Sequence, residues 1–389
     1  MTDAWLVVNA GSSSIRAALY AAEDLAPLLR VHVETLGGPA VRARWSGTLG
    51  PRCSDAAPAP GAGHDAATGW LLQTINARLP ELALAGVGHR VVHGGREFAA
   101  PVAVDAAVLE ALERLAPLAP QHQPHNLAAI RAVAARWPRL RQVACFDTAF
   151  HRSQPPLARA FALPRALTDA GIERYGFHGL SYEFLAGELP RHTPRAGGRV
   201  ILAHLGHGAS LCALRAGRSV ATTMGFSTLD GLVMGTRCGA IDAGVLLHLM
   251  QTQGYDEARL RELLYARSGL LGVSAISDDV RTLEASGDAR AAEALELFAY
   301  RAAAEIGALA SVLEGLDALV FSAGIGEHSA RMRAAIGARC AWLGVVLDAD
   351  ANRAGRARIS AAASAVDVLV IPTDEELVIA RAVRALCGG

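Results

Sequence analysis

The sequence predicts an α/β protein in which one domain type is used twice. Three observations carry that expectation. The chain has 389 residues, more than a single hydrophobic core usually spans, so two domains are expected, with a cleft between them. Short apolar runs end repeatedly in glycine-rich turns and lead into segments of helical spacing, the alternation that builds open α/β sheets. Finally, an apolar run, a small polar tip and an apolar return occur near residue 9 and again near residue 207, as a duplicated unit would place them. Each tip is bare enough to close on a phosphate, because glycine tolerates positive φ and lets N–H groups converge on an anion. An ordinary glycine-rich hairpin is the other reading of such a tip taken alone.

In chain order, Trp5 to Val8 is a buried strand, Asn9-Ala10-Gly11-Ser12-Ser13-Ser14 the first tip, and Ile15 to Tyr20 the return. Residues 50 to 69 are small, polar and proline-rich, which predicts an exposed excursion without structure. Trp70 to Ala77 has helical spacing. Ala83 to Val92 is a strand ending in Gly88-His89-Arg90-Val91-Val92-His93-Gly94-Gly95. On a helix His89 and His93 would suit a metal, but the flanking glycines speak against a helix. Arg90, a strand-end arginine beside glycines, is placed to meet a carboxylate or phosphate with both arms, or to form a plain ion pair. Val104 to Leu115 and Asn126 to Ala135 read as helices, and the loop between them, fixed by Pro117, Pro120 and Pro124, presents His122. Val143 to Phe146 is a strand delivering Asp147 and His151 at its carboxyl end, where open α/β sheets bind ligands. Arg174 to Gly179 then sets His178 between glycines ahead of a helix at Ser181.

The second half opens with the strand Val200 to Leu205, the tip Gly206-His207-Gly208-Ala209-Ser210, and the returns Leu211 to Leu214 and Ser219 to Thr223. Arg237 stands among glycines in Gly235-Thr236-Arg237-Cys238-Gly239, with little packing purpose and free access to a ligand. Asp242 to Gln253 and Ala289 to Leu313 read as long helices. Ala318 to Phe321 is a strand entering Ser322-Ala323-Gly324-Ile325-Gly326-Glu327-His328, a glycine-rich turn that a flat ring and a ribose can approach closely. Val366 to Ile371 is the last strand, and Pro372-Thr373-Asp374-Glu375-Glu376 starts the last helix. The acidic pair there offers hard oxygen ligands to Mg2+, or simply favourable charge at a helix N-terminus.

Composition removes whole classes of function. Lys+Arg and Asp+Glu are both 37, so no net charge draws the chain to nucleic acid or to an acidic membrane. The sequence contains no lysine, which excludes a P-loop, a pyridoxal Schiff base and a protein-kinase strand lysine. The six cysteines lack CxxC spacing and suggest neither zinc nor a disulfide framework. The N-terminal residues lack a basic segment and a long apolar stretch, which predicts a reduced, cytoplasmic protein.

Taken together, VVNAGSSSIR, GHRVVHGG, PLAPQHQPHNL, FDTAFH, RYGFHGLS, HLGHGAS, MGTRCG, SAGIGE and PTDEEL resemble the acetate kinases, with the related propionate and butyrate kinases, of the acetate and sugar kinase, Hsc70 and actin superfamily. The resemblance runs the length of the chain. It implies two ribonuclease-H-like domains, residues 1–150 joined by the C-terminal helix 377–389, and residues 151–376 for nucleotide binding and dimerisation. It implies a homodimer, ATP or ADP as co-substrate, Mg2+ or Mn2+ as cofactor, and reversible phosphoryl transfer to a short carboxylate by direct in-line displacement.

Position by position, the resemblance implies metal contacts at Asn9 and Glu375 and catalytic roles for Arg90, His122, Asp147, His178 and Arg237. It implies an acid pocket of Arg90, Val92, Gln121, Phe177 and Thr228. Nucleotide contacts fall on Arg16, on His204, Leu205, Gly206, His207 and Gly208, on Asp279, Val280 and Arg281, and on Gly324, Ile325, Gly326, Glu327 and His328. A carboxylate is already ionised at neutral pH, so such a reaction needs no strong base, only positioning and charge neutralisation. The chain departs from the family pattern at Arg16 (a lysine there), at His207 and His328 (asparagines), at Asp374 (an asparagine), at Ala240 and Ala243 (an aspartate and a proline), and at Gln121 and Thr228 (a leucine and a proline). The first two histidines lie where the donor is expected and the last two residues where the acid is expected. Alternatives from other classes are a catalytically weak nucleotide sensor of the same fold and a zinc hydrolase built on the histidines.

Overall fold

Seven consecutive buried residues, Ala4 to Ala10, make the first strand a two-sided core element rather than an amphipathic edge. The computed structural model describes residues 2–11 and 14–388; Ser12 and Ser13 of the first expected phosphate tip lie outside the described residues. The chain divides into two compact units, Met1–Phe150 with Asp374–Gly389, and His151–Thr373.

The strands of the first unit are β1 (Thr2–Ala10), β2 (Ile15–Ala21), β3 (Pro27–Glu34), β4 (Arg42–Ser46), β5 (Leu82–Val91), β6 (Val102–Ala103) and β7 (Gln142–Phe146). Those of the second are β8 (Arg199–Leu205), β9 (Ala209–Arg215), β10 (Arg218–Thr222), β11 (Ala318–Ser322) and β12 (Asp367–Val370). The first sheet runs β4-β3-β2-β1-β5-β7-β6 and the second β10-β9-β8-β11-β12. Each contains the same five-strand pattern: an antiparallel meander of three whose first strand continues into two parallel strands. That is the ribonuclease-H-like order, present twice, so the repeat legible in two hairpins extends to the whole sheet. The short β4 and β6 are additions at the edges of the first copy.

The final helix, Glu375–Cys387, lies on the first sheet through Val378, Ile379, Ala380 and Val383, all buried. Two glycines of β5 make room for it. A Cβ at Gly88 would stand 2.3 Å from Ile379 Cγ2, and one at Gly86 3.1 Å from Val383 Cγ1, so any larger residue there would lift the helix off the sheet. On the other side, helices His64–Arg78 and Gln123–Arg136 close the core around Leu6, Leu71, Leu72 and Val133. Each such leucine, fully removed from water, stabilises the fold by roughly 1.5–3 kcal/mol.

Three expectations change. Residues 50–69 are not a bare excursion: a 3-10 turn at Gly50–Cys53 buries Cys53, and the helix expected from Trp70 starts at His64 and buries Ala67 and Thr68. Small residues that look like loop composition serve here as close-packing faces. The Gly-rich stretch after β11 is a short helix, Ala323–His328, entered through Ala323 at φ 63°. The segment between Tyr20 and residue 50, where the sequence predicts no element, carries strands β3 and β4; only alternate residues of β3 are buried and none of β4 is.

Candidate active site

In the first unit, Arg90, Asp147, Asn9 and Glu375 come together at the ends of β1, β5 and β7 and at the start of the last helix. Arg90 donates from Nε to Asp147 Oδ1 at 2.9 Å and from Nη2 to Oδ2 at 2.6 Å, while Nη1 reaches Asn9 Oδ1 at 3.3 Å. Asp147 is 1% exposed, so its charge stands almost wholly on this two-armed bond. Arg90 thus forms the plain ion pair that was one of its two readings, and its side chain stays 21% exposed. Arg16 sits directly across the β1–β2 ladder from Asn9. Its side chain is exposed.

Glu375 supplies the test of a metal site. Its carboxyl is pushed up to about 7, first by burial, with Arg90 drawing it back and the negative charges of Asp147 and Glu376 raising it further. A cation beside it would relieve that excess of negative charge. Among the described residues no three His, Cys, Asp or Glu side chains cluster to cage a metal. Two oxygen donors, Asn9 Oδ1 and the Glu375 carboxylate, fit an ion that keeps most of its water and binds chiefly through its ligand's phosphates, as Mg2+ does. The same absence gives no support to a zinc hydrolase.

Asp374, where the family pattern has asparagine, accepts from Leu377 N at 3.0 Å as the helix cap and pairs with Arg30 Nη2 at 2.5 Å. The acid thus gains an ion pair that an amide would lack. Val92 is buried, its N–H held by Asn126 Oδ1 at 2.9 Å. His122 occupies the N-cap position of the helix Gln123–Arg136, its side chain making no capping bond. Gln121 is half-buried, and its amide finds no hydrogen-bond partner among the described residues.

In the second unit, His178, His204 and Arg237 gather about Gly208. His178 adopts φ 60°, a left-handed conformation costly for a residue with a Cβ, and stands at the cap of helix Gly179–His192. Its Nδ1 lies 2.9 Å from Ser210 Oγ, itself 2.5 Å from Tyr182 Oη, and its ring stacks on His204 at 4.2 Å. The carbonyl just before it, that of Phe177, is 2.9 Å from His151 Nε2. A Cβ on Gly208 would meet Arg237 Nη2 at 2.6 Å and His178 Nε2 at 3.3 Å, so a side chain there would push the guanidinium from the spot that it and the imidazole both face. Arg237 Nη1 donates to Thr228 O at 2.6 Å. Phe177 is 1% exposed, Thr228 is half-buried, and the Thr228 hydroxyl has no partner among the described residues.

The expected nucleotide residues form three groups. Leu205 and Val280 are core side chains and can offer a ligand only backbone. His207 is exposed, with Nε2 3.1 Å from Asp278 Oδ2. Asp279 caps helix Val280–Ala285 and pairs with Arg281 at 2.6 Å. In the helix Ala323–His328, Gly324 is exposed with nothing within 4 Å of a Cβ, Gly326 packs on Phe321 and the Ala203 carbonyl, and Glu327 Oε1 accepts from Thr373 N at 3.4 Å. Ile325 is half-buried and His328 exposed. Sequence reasoning missed Ser210, Tyr182 and Arg333, which hold these groups from behind. Only Ser210, inside the tip it supports, carried a signal that could have found it.

Comparison with known proteins agrees over the full length. The acetokinase family model matches residues 4–381. The chain is 51% identical to the acetate kinase of Rhodopseudomonas palustris strain TIE-1, covering all of both chains, and 48% identical to that of Nitrobacter hamburgensis, covering 97% and 95%. Among solved structures it superposes on a propionate kinase from Francisella tularensis with a TM-score of 0.92 at 33% identity, covering 99% and 100%, and on Porphyromonas gingivalis acetate kinase with 0.86 at 34%, covering 97% and 98%. With an ordered set of motifs, a twice-used sheet and relatives this similar across the whole chain, the protein belongs to the acetokinase family.

Proposed function

We propose that the protein is a phosphotransferase with a carboxyl group as acceptor, moving a phosphoryl group reversibly between ATP and acetate to give acetyl phosphate and ADP by direct in-line displacement. The observation that carries this reading is the character of the groups each unit collects: guanidinium in the first, with Asp147 committed to Arg90, and guanidinium, imidazole and glycine backbone in the second. Such a set neutralises anions and is poor at removing protons, which suits an acceptor that arrives ionised.

Arg90 binds the acceptor carboxylate, and Asp147 keeps its guanidinium plane fixed so that binding costs little reorganisation. Arg237 and His178 shield the oxygens of the phosphoryl group as charge spreads over them. The contact between His178 Nδ1 and Ser210 orients the ring so that Nε2 faces the phosphoryl group as a donor. His122 assists from the loop ahead of its helix. Gly206 to Gly208 and the helix Ala323–His328 cradle the nucleotide, the first through backbone N–H groups and the second beneath ring and ribose. Asn9 and Glu375 would hold Mg2+ or Mn2+, which supplies positive charge to the nucleotide phosphates when bound.

The second unit also carries a helix, Ala243–Gln253, with no buried residue despite Val245, Leu247 and Met250 on its surface. An uncharged apolar helix left this open supports a homodimer joined through it. No helix of the described residues is long and apolar enough to cross a membrane, and we place the enzyme in the cytoplasm. Trapping the acyl phosphate with hydroxylamine, across short acids and across ATP, GTP and pyrophosphate, tests the assignment. Acetyl hydroxamate formed with ATP is expected; turnover with pyrophosphate alone would overturn the nucleotide assignment.

A further inference from the structure

Arg333 is among the largest fully buried side chains, 1% exposed, and among the described residues it has no carboxylate partner. Among the described residues its partners are all neutral oxygens. Nε donates to Asn352 Oδ1 at 2.7 Å and Nη2 to Asn352 O at 2.7 Å, while Nη1 is shared between Gly326 O at 2.9 Å and Glu327 O at 2.8 Å. Asn352 is 4% exposed and is held in turn by Nδ2 donating to Ala330 O at 2.8 Å. Burial without a counter-ion disfavours the charged guanidinium, and its pKa is accordingly lowered. An apolar side chain of similar length would fill this space without that cost.

What an apolar side chain lacks is a grip on two successive carbonyls. Gly326 and Glu327 lie in the last turn of a six-residue helix, so their carbonyls have no following turn to receive them. Ser329 N takes the Ile325 carbonyl at 3.0 Å; the next two fall to Arg333. The opposite side of the same turn is open, with Gly324 exposed and nothing within 4 Å of a Cβ there. The turn is thus clamped from within at Gly326 and Glu327 and open at Gly324.

We propose that Arg333, braced by Asn352, is a positioning residue that fixes the Gly324–Glu327 backbone in the form that seats the nucleotide, and so sets donor affinity rather than the rate of transfer. The inference rests on reading residues 324–328 as the nucleotide seat. Four variants of the full chain separate the two ideas: Arg333→Met, Arg333→Lys, Asn352→Ala and Gly324→Val. Steady-state kinetics with ATP and acetate varied independently, and the shift in melting temperature caused by ADP, are the readouts. Arg333→Met is expected to raise KM for ATP by about tenfold or more, with kcat at saturating ATP and KM for acetate within about threefold. Arg333→Lys, which keeps one or two carbonyl contacts, recovers part of that loss, and Asn352→Ala gives a smaller rise. Gly324→Val, whose Cβ meets no protein atom within 4 Å, fills the open face and raises KM for ATP if the seat is there.

An effect of Gly324→Val alone, with folded Arg333→Met unchanged toward ATP and ADP, would reduce Arg333 to a packing role and overturn the inference. No effect of Gly324→Val would place the nucleotide elsewhere and remove both readings. Should Arg333→Met fail to fold, Arg333→Lys and Asn352→Ala decide on the same split: a fall in kcat with KM for ATP unchanged contradicts the proposal.

Discussion

Arg90 and Asp147 are joined by two hydrogen bonds, Nε to Oδ1 at 2.9 Å and Nη2 to Oδ2 at 2.6 Å, and Asp147 is 1% exposed. Cutting one partner leaves the other's charge in a place that cannot solvate it. Arg90→Ala is therefore expected to lower stability by about 3–5 kcal/mol as well as abolishing most activity. Removing both charges, as Arg90→Met with Asp147→Leu, is expected to return much of the stability and none of the activity. Urea unfolding beside kcat/KM measures both. Recovery of activity in the double variant would show that the pair is scaffolding only.

Arg237 allows a cleaner separation. Arg237 Nη1 donates to a backbone carbonyl, that of Thr228, and its side chain is half-buried, so Arg237→Ala should cost about 1–2 kcal/mol of stability, less than Arg90→Ala. Loss of a charge-assisted contact to the transferring group should cost about 3 kcal/mol or more in kcat/KM, over a hundredfold. A folded variant with near-normal turnover would remove Arg237 from the mechanism.

Acid stability follows from two buried histidines of the first unit. His89 and His93 are each pushed down to about 4 by burial. His89 Nε2 lies 2.7 Å from Gln142 Oε1, and His93 Nδ1 accepts from Gly95 N at 2.9 Å, which fixes His93 as a neutral ring. Unfolded, both regain a pKa near 6.5 and bind protons that the folded state refuses, so stability is whole above that value and falls as pH drops from about 6.5 toward 4. The limit is about 3 kcal/mol for each histidine. His32 and His125, also lowered first by burial, add smaller losses of the same sign. Urea midpoints at pH 7.5, 6 and 5 check this; a flat profile across that range would contradict it.

How legible was all this beforehand? The repeat was, because two hairpin tips of the same make stood in the chain, and the sheets they open have one strand order. Arg90 and Asp147 were legible singly, as polar residues ending apolar runs. Their bond was not, since a separation of 57 residues says nothing about which strands lie side by side. Ser210, Tyr182 and Arg333 stayed hidden for another reason: a supporting residue looks like ordinary helix or strand composition until its partner is known. Residues 50–69 misled because alanine and glycine serve equally in loops and in tight packing.

The acid pocket carries the most individual prediction. In the proposed acid pocket Gln121 and Thr228 stand where the family resemblance implies a leucine and a proline, and neither side-chain polar group has a partner among the described residues. An unpaired amide facing a methyl group costs roughly 1–3 kcal/mol, against about 0.8 kcal/mol gained by burying one methylene. Gln121→Leu is expected to raise kcat/KM for acetate and propionate and to lower it for glycolate and lactate. If acetate leads the natural enzyme's preferences by more than tenfold and Gln121→Leu changes nothing, both polar groups point away from the acid.

The central claim is that charge-neutralising groups from this chain carry a phosphoryl group straight from one oxygen to another, with no protein side chain taking it on the way. Transfer from ATP made chiral at the γ-phosphorus with oxygen isotopes reports on that step alone. One in-line displacement inverts the phosphorus, and inversion in the acetyl phosphate formed is the result expected. Retention would mean two displacements through a phosphorylated residue, with Glu375 or His178 the first to examine, and would contradict the account.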